Sequence, residues 1–511
     1  MGPLTARQVR LALAAIFVVA GAARLLAARL GPALYPDAYF QYLEPAWLHL
    51  TGLGVKTWEW NDGLRSWVLP GFHGAWLALG ARLGLSGSLL GELIRASWGL
   101  CSLLLVWAAW RAGNSCARQL RPRVPCCTCG RLRFRDPASL TFVGDAPPDG
   151  WRGGLAAAAL VAVFPLLAIY SVEPLTELPS MISLTMALAL CAELCEMEDP
   201  RDRTRATLVG VLLSLAVCLR VVNAVLVLVP LLWLALRRRW RDLAVVGVAA
   251  LLPVLLFGIV DRLTWGDYFH SFIAHLKFNL IEGRATEFGK EPATWYLTTL
   301  GARLPWGLAL LLLPALWGLR ATWPFVLSAL SLLACVSSQP HKEERFAIVL
   351  WPLLLIAAGA VAGRWLWSRE SANRDCANVA STDRWSRWAR IRLWAGRTVL
   401  VIGLLVIVVD SGSRLGGIDF TIPHARLDGQ AWVARRAGAT GLLIDWQYGS
   451  GGRLWLGRSI PQVEYRAELL ENPLFSHVLA DKGSSIETEA RRQGFAPGFD
   501  RGGIVVLERA H

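Results

Sequence analysis

Long apolar runs, repeated along the chain and separated by polar loops, constrain this sequence more than any other feature. A helix that crosses a membrane needs about 20 mostly apolar residues. Hydrophobic residues make up 54% of the 511 residues, and the mean hydropathy is +0.42. A soluble protein of this length would divide into several domains, with apolar residues scattered at helical or strand periods. The pattern therefore predicts an all-α polytopic membrane protein.

Runs of this kind predict about 11 membrane spans. The predicted spans are Leu11–Leu26, Leu93–Trp110, Leu155–Tyr170, Leu178–Leu194, Ala206–Leu219, Val221–Leu236, Leu243–Val260, Leu304–Leu319, Trp323–Val336, Ala347–Val361 and Val399–Val409. The segment Trp67–Leu83 is also apolar, but it contains Pro70, Gly71, His73 and Arg82. That composition favours an interfacial helix over a crossing one.

The formal net charge of +14 comes mostly from arginines that cluster in a few loops. These basic loops are Arg111–Gly150, Arg237–Arg241 and Gly363–Arg397. The positive-inside rule places them in the cytoplasm and accounts for the basic charge without a nucleic-acid partner. The loops that alternate with them then fall on the opposite face, and they are Gly31–Ser66, Ser171–Glu177, Asp261–Arg303 and Ser337–Arg345.

We predict two domains. Residues 1–410 form the transmembrane domain, which includes the polar first loop 31–66 and the basic insert 111–150. Residues 411–511 are polar, with strand-like pieces at Gly441–Trp446 and Gly503–Leu507, and they predict a small soluble α/β domain on the non-cytoplasmic side. The cysteines at 126, 127 and 129 lack a second pair at zinc-finger spacing, so no metal site is predicted.

The polar hexapeptide His341–Phe346 lies between two apolar runs. Charged groups at the edge of a membrane are costly and are usually functional. Lys342 and Arg345 can hold a phosphate through charge-assisted hydrogen bonds. His341 can donate to the same phosphate or to a sugar hydroxyl, and Glu343 can fix the cations or bind hydroxyls. A salt-bridged helix end is the alternative interpretation.

Asp37 lies just beyond the first predicted helix, among aromatic residues. Partial desolvation would raise the pKa of such a carboxylate and suit it to act as a general base. An N-cap of an interfacial helix explains the same residue equally well. Glu177 sits in a short turn and is either a site residue or merely solvated. Arg220 interrupts an apolar stretch and is either a membrane anchor or an anion ligand.

Several strings in these loops resemble glycosyltransferase family 22, the lipid-linked α-mannosyltransferases of the GT-C superfamily. They are Pro36-Asp37-x-Tyr39-Phe40-Gln41-x-x-Glu44, Thr57-Trp58-Glu59-Trp60, Leu64-Arg65-Ser66, Leu219-Arg220, Lys277-Phe278-Asn279 and His341-Lys342-Glu343-x-Arg345-Phe346. The resemblance covers roughly Ala33 to Phe346. The chain departs from the family at Ala38, where the family usually has a second acidic residue.

The resemblance implies a GT-C fold and inverting transfer of mannose, without a cofactor, from a polyprenyl-phosphate donor such as dolichyl-phosphate mannose to a lipid-linked glycan. It implies that Asp37 is the catalytic base. It also implies a donor-phosphate set of His341, Lys342, Arg345 and Arg220, and an acceptor or sugar set of Gln41, Glu44, Arg65, Glu177, Asn279 and Glu343. The expected location is the endoplasmic reticulum membrane, or a bacterial inner membrane, with the site on the lumenal or periplasmic face.

Two other functions stay open at this point. A transporter or flippase of lipid-linked sugars would favour charges in the middle of spans and internal repeats, and the sequence shows neither. A non-catalytic subunit of a glycosylation complex would be consistent with Ala38 in place of the acidic residue.

Overall fold

The computed structural model describes residues 5–30, 35–120, 150–197, 202–303, 315–316, 318–367, 421–446 and 451–509, together with the single residues 398, 402 and 409. The predicted spans Leu304–Leu319 and Val399–Val409, most of the insert 111–150 with the cysteines at 126, 127 and 129, and the domain boundary at 410–411 lie largely or wholly outside these residues.

The first half of the described chain is helical throughout. It comprises α1 (Ala6–Leu30), a π-helical turn (Ala38–Leu43), α2 (Glu44–Thr51), α3 (Trp58–Asn61), α4 (Val68–Arg82), α5 (Gly87–Cys101), α6 (Leu103–Gln119), α7 (Trp151–Val163), α8 (Pro165–Tyr170) and α9 (Glu177–Glu196). The predicted interfacial segment corresponds to α4, a helix of 15 residues.

The second half of the membrane part continues in the same way. It comprises α10 (Arg203–Leu219), a 3-10 turn (Val221–Asn223), α11 (Ala224–Leu236), α12 (Trp240–Trp265), α13 (His270–Leu276), a second π-helical turn (Lys277–Ile281), a 3-10 turn (Arg284–Phe288), α14 (Trp295–Arg303), α15 (Leu319–Ser338), a 3-10 turn (Glu344–Ala347) and α16 (Leu350–Trp367).

Six helical stretches within the described residues are long and apolar enough to cross a membrane. They are Ala6–Arg29, Gly87–Gln119, Glu177–Glu196, Trp240–Trp265, Leu319–Ser338 and Glu344–Gly363. Each contains a predicted span, which confirms several apolar spans. The predicted span Leu155–Tyr170 is not one helix, because it breaks between α7 and α8 at Pro165.

Arg24 explains how the break between α7 and α8 is tolerated. A proline has no backbone N–H, so Pro165 leaves the carbonyl of Val161 without its helical partner. Arg24 is fully buried in α1 and donates to the carbonyl oxygens of Ala162 at 3.1 Å and Val161 at 3.4 Å. Its Nε also donates to the Ser102 hydroxyl at 2.6 Å. The basic side chain therefore donates to the carbonyl that the proline leaves without its helical partner, and to the carbonyl next to it.

The buried helix α9 separates two layers of charge. At its first residue, Glu177 contacts Arg220 and Arg345. Near its end, Glu193 pairs with Arg111, and Glu196 pairs with Arg118 at 2.5 Å. Its 20 residues are about 30 Å long, close to the thickness of a hydrocarbon core. The polar ends of the helix bundle therefore lie a bilayer apart.

The C-terminal domain is the small α/β domain that the sequence predicts. It contains α17 (Thr421–Ala434), β1 (Leu442–Ile444), α18 (Gly452–Leu456), β2 (Gln462–Glu464), a 3-10 turn (Ala467–Glu471), β3 (His477–Asp481), α19 (Ser485–Arg492), β4 (Phe495–Arg501) and β5 (Ile504–Arg509). The sheet order is β2-β1-β3-β5-β4. β1 runs parallel to β2 and β3, whereas β5 runs antiparallel to β3 and β4.

Alternation along β1 sets the two faces of this sheet. Leu442 and Ile444 pack in the apolar cluster that contains Val433 of α17. Leu443 points the other way, into the cluster that contains Ala490 of α19. Successive side chains of a strand point to opposite faces, so one strand closes both layers of the domain.

Candidate active site

Asp37 immediately precedes the π-helical turn Ala38–Leu43. Its side chain makes no capping hydrogen bond to that turn. Instead, its carboxylate accepts a hydrogen bond from Nη2 of Arg345, which lies 308 residues further along the chain. The N-cap interpretation is therefore wrong, and the first loop is joined directly to the hexapeptide.

Arg345 is the centre of a cluster of carboxylates. Besides Asp37, its guanidinium contacts Glu343, with Nε 2.8 Å from Oε2, and its Nε lies 3.8 Å from the Glu177 carboxylate. The guanidinium carbon lies 4.9 Å from the centroid of the Tyr35 ring. Only 7% of the Arg345 side chain is exposed. The flat, five-donor guanidinium suits such a site, because it bonds several oxygens at fixed angles.

Arg220 brings a second cation to the same carboxylates. α10 ends here because Arg220 adopts an extended backbone, and a 3-10 turn then reverses the chain. Its guanidinium pairs with Glu177 and lies 5.3 Å from the centroid of the Phe346 ring. Glu177 therefore lies between two arginines, one from each side of the site.

The rest of the hexapeptide is held at the same edge. His341 Nε2 lies 3.2 Å from the Glu343 carboxylate. Burial would raise the pKa of Glu343, but the contacts with His341 and Arg345 outweigh it and lower the pKa to about 2. Lys342 is buried and donates to the carbonyl of Gln339. Glu343 therefore stays ionised and fixes both His341 and Arg345.

Arg65 and Asn279 lie on the first-loop side of the cluster. Arg65 Nη2 donates to Glu59 at 2.6 Å. Burial lowers the pKa of Arg65. The electrostatic effects of Glu59, Tyr42 and Asp37 raise it by a larger amount, so the pKa of Arg65 is raised overall. Burial, with the charges of Arg65 and Arg220, lowers the pKa of His275 to about 4. Asn279 Nδ2 donates to the His275 carbonyl at 2.9 Å and reaches the cluster through that residue.

Aromatic rings connect the first loop with the long loop after α12. Trp58 stacks on Phe288, with centroids 5.2 Å apart and planes 13° apart, and it contacts Phe278 at 5.4 Å. Phe288 in turn lies 6.2 Å from the ring of His341. We call Trp58, Phe278 and Phe288 the aromatic roof. It places a flat apolar surface beside the charged cluster.

The described residues include no group of three or more His, Cys, Asp or Glu side chains arranged to hold a metal ion. The cluster is instead built from arginine–carboxylate pairs, which suit it to hold an anion by displacing a carboxylate.

The helical part of the chain matches a known protein family. Residues 15–413 match the model of the Alg9-like mannosyltransferase family. The chain belongs to this family. Asp37, Glu177, Arg220 and Arg345 all lie within the matched range, whereas the C-terminal sheet lies beyond it. Together with its apolar helices, this membership identifies a multi-pass membrane protein.

Two relatives of this Alg9-like chain carry specific names. "GPI mannosyltransferase 3" of Yarrowia lipolytica is 28% identical over 329 residues, which cover 63% of this chain and 57% of that protein. "Dol-P-Man:Man(7)GlcNAc(2)-PP-Dol alpha-1,6-mannosyltransferase" of Arabidopsis thaliana is 28% identical over 195 residues, or 38% of each protein. The chain thus spans less than two thirds of the length of these relatives.

The fold resembles a solved structure over nearly its whole length. ArnT from Cupriavidus metallidurans bound to undecaprenyl phosphate superposes with a TM-score of 0.59 at 14% identity, covering 97% of each chain. The apo form of ArnT gives a TM-score of 0.55. This likeness shows the GT-C fold predicted from the sequence, including a C-terminal domain beyond the helices.

Two predicted site residues of this Alg9-like chain lie apart from the cluster. Glu44 is fully buried, and its carboxylate accepts hydrogen bonds from the backbone N–H of Leu454 and Val55. Gln41 is also buried, and its backbone carbonyl accepts from Trp60 Nε1 at 3.2 Å. The Glu44 carboxylate is therefore occupied by backbone N–H groups. The contact of Gln41 and Glu44 with sugar stays a prediction.

Sequence reasoning did not select three residues that the structure places at the cluster. Tyr35 stacks under Arg345, and its hydroxyl lies 2.7 Å from that of Tyr170. His275 lies between Asn279 and the two arginines Arg65 and Arg220. The position of Tyr35, two residues before Asp37, could have indicated from the sequence that Tyr35 lies at the cluster. Tyr170 and His275 belong to segments whose aromatic residues are ordinary for a membrane edge.

Proposed function

We propose that this protein transfers mannose from a polyprenyl-phosphate mannose donor to a lipid-linked glycan, with inversion at the anomeric carbon. The observation that carries the proposal is the direct contact between Asp37 and Arg345. Through this contact, a carboxylate that can accept a proton lies beside a cation that can bind a phosphate. The names of the relatives, which include Dol-P-Man as donor, support this substrate class.

The donor phosphate binds to Arg345, Arg220 and Lys342. Arg220 and Arg345 come from two elements that meet at the start of α9, and Lys342 belongs to the same hexapeptide as Arg345. Arg345 and Arg220 are neutralised by carboxylates, so a phosphate takes the place of a carboxylate oxygen. Glu343, whose Oε2 lies 2.8 Å from Nε of Arg345, orients the guanidinium toward the phosphate. Charge-assisted, bidentate hydrogen bonds of this kind are among the strongest in proteins.

An apolar groove between α11 and α15 accommodates the polyprenyl chain. Its volume is about 500 Å³, and it is lined by Val225, Leu228, Leu232, Leu327 and Cys335 among others. Leu228 is 64% exposed and Leu232 is 47% exposed, so the groove opens sideways toward lipid. α11 begins just after Arg220, and α15 ends just before the hexapeptide. The groove therefore leads from the cations into the membrane.

The reaction needs one base and a stabilised leaving group. Asp37 takes the proton of the acceptor hydroxyl while the hydroxyl oxygen forms a bond to the anomeric carbon. The bond from that carbon to the phosphate oxygen breaks, and its electron pair leaves with the phosphate. Arg345 and Arg220 stabilise the negative charge that grows there. The mannose lies between base and phosphate, so Asp37 and Arg345 separate when the donor enters.

The acceptor approaches from the first-loop side. Arg65, Asn279 and the aromatic roof line this side of the cluster. Planar rings and nearby hydrogen-bond donors are suited to sugar faces and hydroxyls. Arg111 and Arg118 of α6, which pair with Glu193 and Glu196 at the end of α9, lie about a bilayer away, and the positive-inside rule assigns them to the cytoplasm. The site then faces the lumen of the endoplasmic reticulum, or a bacterial periplasm.

The deciding experiment compares Asp37→Asn with Asp62→Asn. Asp62 is a matched control, because it lies in the same loop, is 41% exposed and pairs only loosely with Arg284 at 3.4 Å. Purified protein in nanodiscs is given a polyprenyl-phosphate mannose and a lipid-linked glycan, and new glycosidic bonds are measured by mass spectrometry.

We expect Asp37→Asn to lower the transfer rate by about 10²–10⁴-fold, the usual contribution of a general base. Its donor affinity should be unchanged or higher, because Arg345 loses a competing carboxylate. Asp62→Asn should stay within about twofold of the wild type. An Asp37→Asn protein that still transfers mannose would refute the base assignment. In sealed proteoliposomes, movement of donor across the bilayer without a new glycosidic bond would support a flippase instead.

A further inference from the structure

In the described part of the chain, the C-terminal domain contacts the first loop through the short segment Gly451–Gly457, which we call the docking segment. Leu454 N–H donates to Oε1 of Glu44 at 2.8 Å, and the ring of Trp455 meets Tyr39 edge-on at 4.8 Å. Leu454 and Trp455 are both buried. The carbonyl of Gly452 accepts from Gln430 of α17 at 3.2 Å, which ties the segment to its own domain.

The fit between the two parts requires glycine on both sides. A Cβ on Gly452 would lie 2.3 Å from the Glu44 carboxylate, and Gly452 also has φ +70°. On α5, a Cβ on Gly87 would lie 1.8 Å from the Leu454 carbonyl oxygen, and one on Gly91 would lie 2.3 Å from the Trp455 ring. The Leu454 backbone and the Trp455 ring therefore pack so closely against α5 that no side-chain atom fits between them.

A carboxylate is energetically unfavourable at the buried position of Glu44. It is fully buried, and its other oxygen accepts from Val55 N–H at 3.2 Å. Burial raises the pKa of Glu44 to about 7, although the backbone N–H groups of Leu454 and Val55 oppose the shift. A buried carboxylate lowers stability unless its hydrogen bonds are all made. Here its oxygens join α2, the stretch between α2 and α3, and the docking segment.

The docking segment contacts the π-helical turn that follows Asp37. Tyr39 is two residues after Asp37, and Glu44 ends the π-helical turn that Asp37 precedes. π-helical turns are rare and often occur at functional sites. The docking segment therefore holds both ends of the backbone element that presents the Asp37 carboxylate.

We propose that Glu44 is a positioning residue, through which the docking segment of the C-terminal domain fixes the turn that presents Asp37 to the acceptor. The inference rests on the proposed function, because it assumes that Asp37 is the base. It assigns to the C-terminal domain a part in the chemical step. Effective catalysis depends on holding the base within a fraction of an ångström, so a loosened turn slows proton transfer without weakening the donor site.

The test uses one variant on each side of the contact. In Glu44→Gln, the amide NH2 faces a backbone N–H, so one of the two hydrogen bonds is lost. Gly452→Ala drives a methyl group into the Glu44 carboxyl from the domain side without changing the first loop. Gly483→Ala is the matched control, because Gly483 has φ +80° in the same domain and a Cβ there would meet nothing within 4 Å.

Two measurements are made on the full-length protein in nanodiscs. In the transfer assay, Glu44→Gln and Gly452→Ala should each lower kcat at least tenfold while the KM for donor stays within about twofold, and Gly483→Ala should keep the wild-type kcat. In hydrogen–deuterium exchange, peptides covering residues 38–44 and 451–457 should exchange faster in both variants, while peptides covering 341–345 should not change.

Each outcome decides the proposal. Wild-type kcat in Glu44→Gln and Gly452→Ala, with Asp37→Asn inactive, would overturn this inference alone. Faster exchange confined to residues 451–457 would also overturn it, since the segment would then hold the domain but not the turn. An equal loss of kcat in Gly483→Ala would show that domain strain is the cause. Activity in Asp37→Asn would remove the proposed function itself.

Discussion

Replacing Arg345 with glutamine should destabilise the protein by about 3–5 kcal/mol, the usual cost of removing one partner from a buried ion pair. Arg345 contacts Asp37 directly, lies 2.8 Å from Glu343 and 3.8 Å from Glu177, and is only 7% exposed. One ion pair at about 4 Å contributes about 4 kcal/mol at an effective dielectric constant of 20. Without the guanidinium, three carboxylates would face one another, with Arg220 left beside Glu177 and His341 left beside Glu343.

Thermal unfolding in nanodiscs measures the effect, because 25 tryptophans give a strong intrinsic fluorescence signal. Arg345→Gln should lower the apparent unfolding temperature clearly. Adding Asp37→Asn should restore part of that loss, since the neutral amide removes the repulsion that Arg345 had screened. Arg284→Gln is the control, because that arginine is 41% exposed and its ion pairs contribute less than about 1 kcal/mol.

Strict additivity of the two substitutions would refute the reasoning. It would mean that Arg345 and Asp37 do not interact in the folded protein, and the contact on which the site is built would be wrong. A loss in Arg345→Gln no larger than that in Arg284→Gln would lead to the same conclusion.

Three further predictions concern other parts of the molecule. Arg24→Met should lower the apparent unfolding temperature, and adding Pro165→Ala should recover much of the loss, because the new N–H can pair with Val161; no recovery would contradict the proposed pairing. The pKa of Glu343 is lowered from its ordinary 4.5 to about 2, so the stabilisation by the ionised carboxylate is present above pH 4.5 and is lost as the pH falls toward 2. The difference in unfolding temperature between wild type and Glu343→Gln should shrink over that range. A constant difference would contradict the lowered pKa. Trp58→Ala should raise the KM for acceptor several-fold with little change for donor, since aromatic contacts contribute about 0.5–1.5 kcal/mol; an effect on donor alone would contradict the acceptor role of the aromatic roof.

The sequence predicted the convergence of the site, because topology alone places four polar loops on one face. Asp37, Glu177, Arg220 and Arg345 meet there as expected. The pairing within the cluster was beyond a sequence argument, since it depends on how deep each loop sits and how each helix is rotated. Arg65, for example, bonds Glu59, six residues away, rather than a residue of the hexapeptide.

Glu44 shows a different limit. Residues seven apart share a face in a regular α-helix, which would set Glu44 beside Asp37. The turn between them is π-helical, and its wider i→i+5 bonding changes the face on which later residues lie. Glu44 therefore turns away from the cluster toward the C-terminal domain. Nothing in the sequence marks a π-helical turn, and nothing marks which segment of a distant domain will cover it.

The length of α9 ties the chemistry of this protein to the thickness of its host membrane. The helix is about 30 Å long, and salt bridges anchor both of its ends. A thicker bilayer forces such a helix to tilt or the lipid to thin around it, at a cost of a fraction of a kcal/mol per ångström. The headgroup layer would then move relative to Arg345. Turnover should therefore vary with acyl-chain length, with an optimum where lipid phosphates lie level with the cluster.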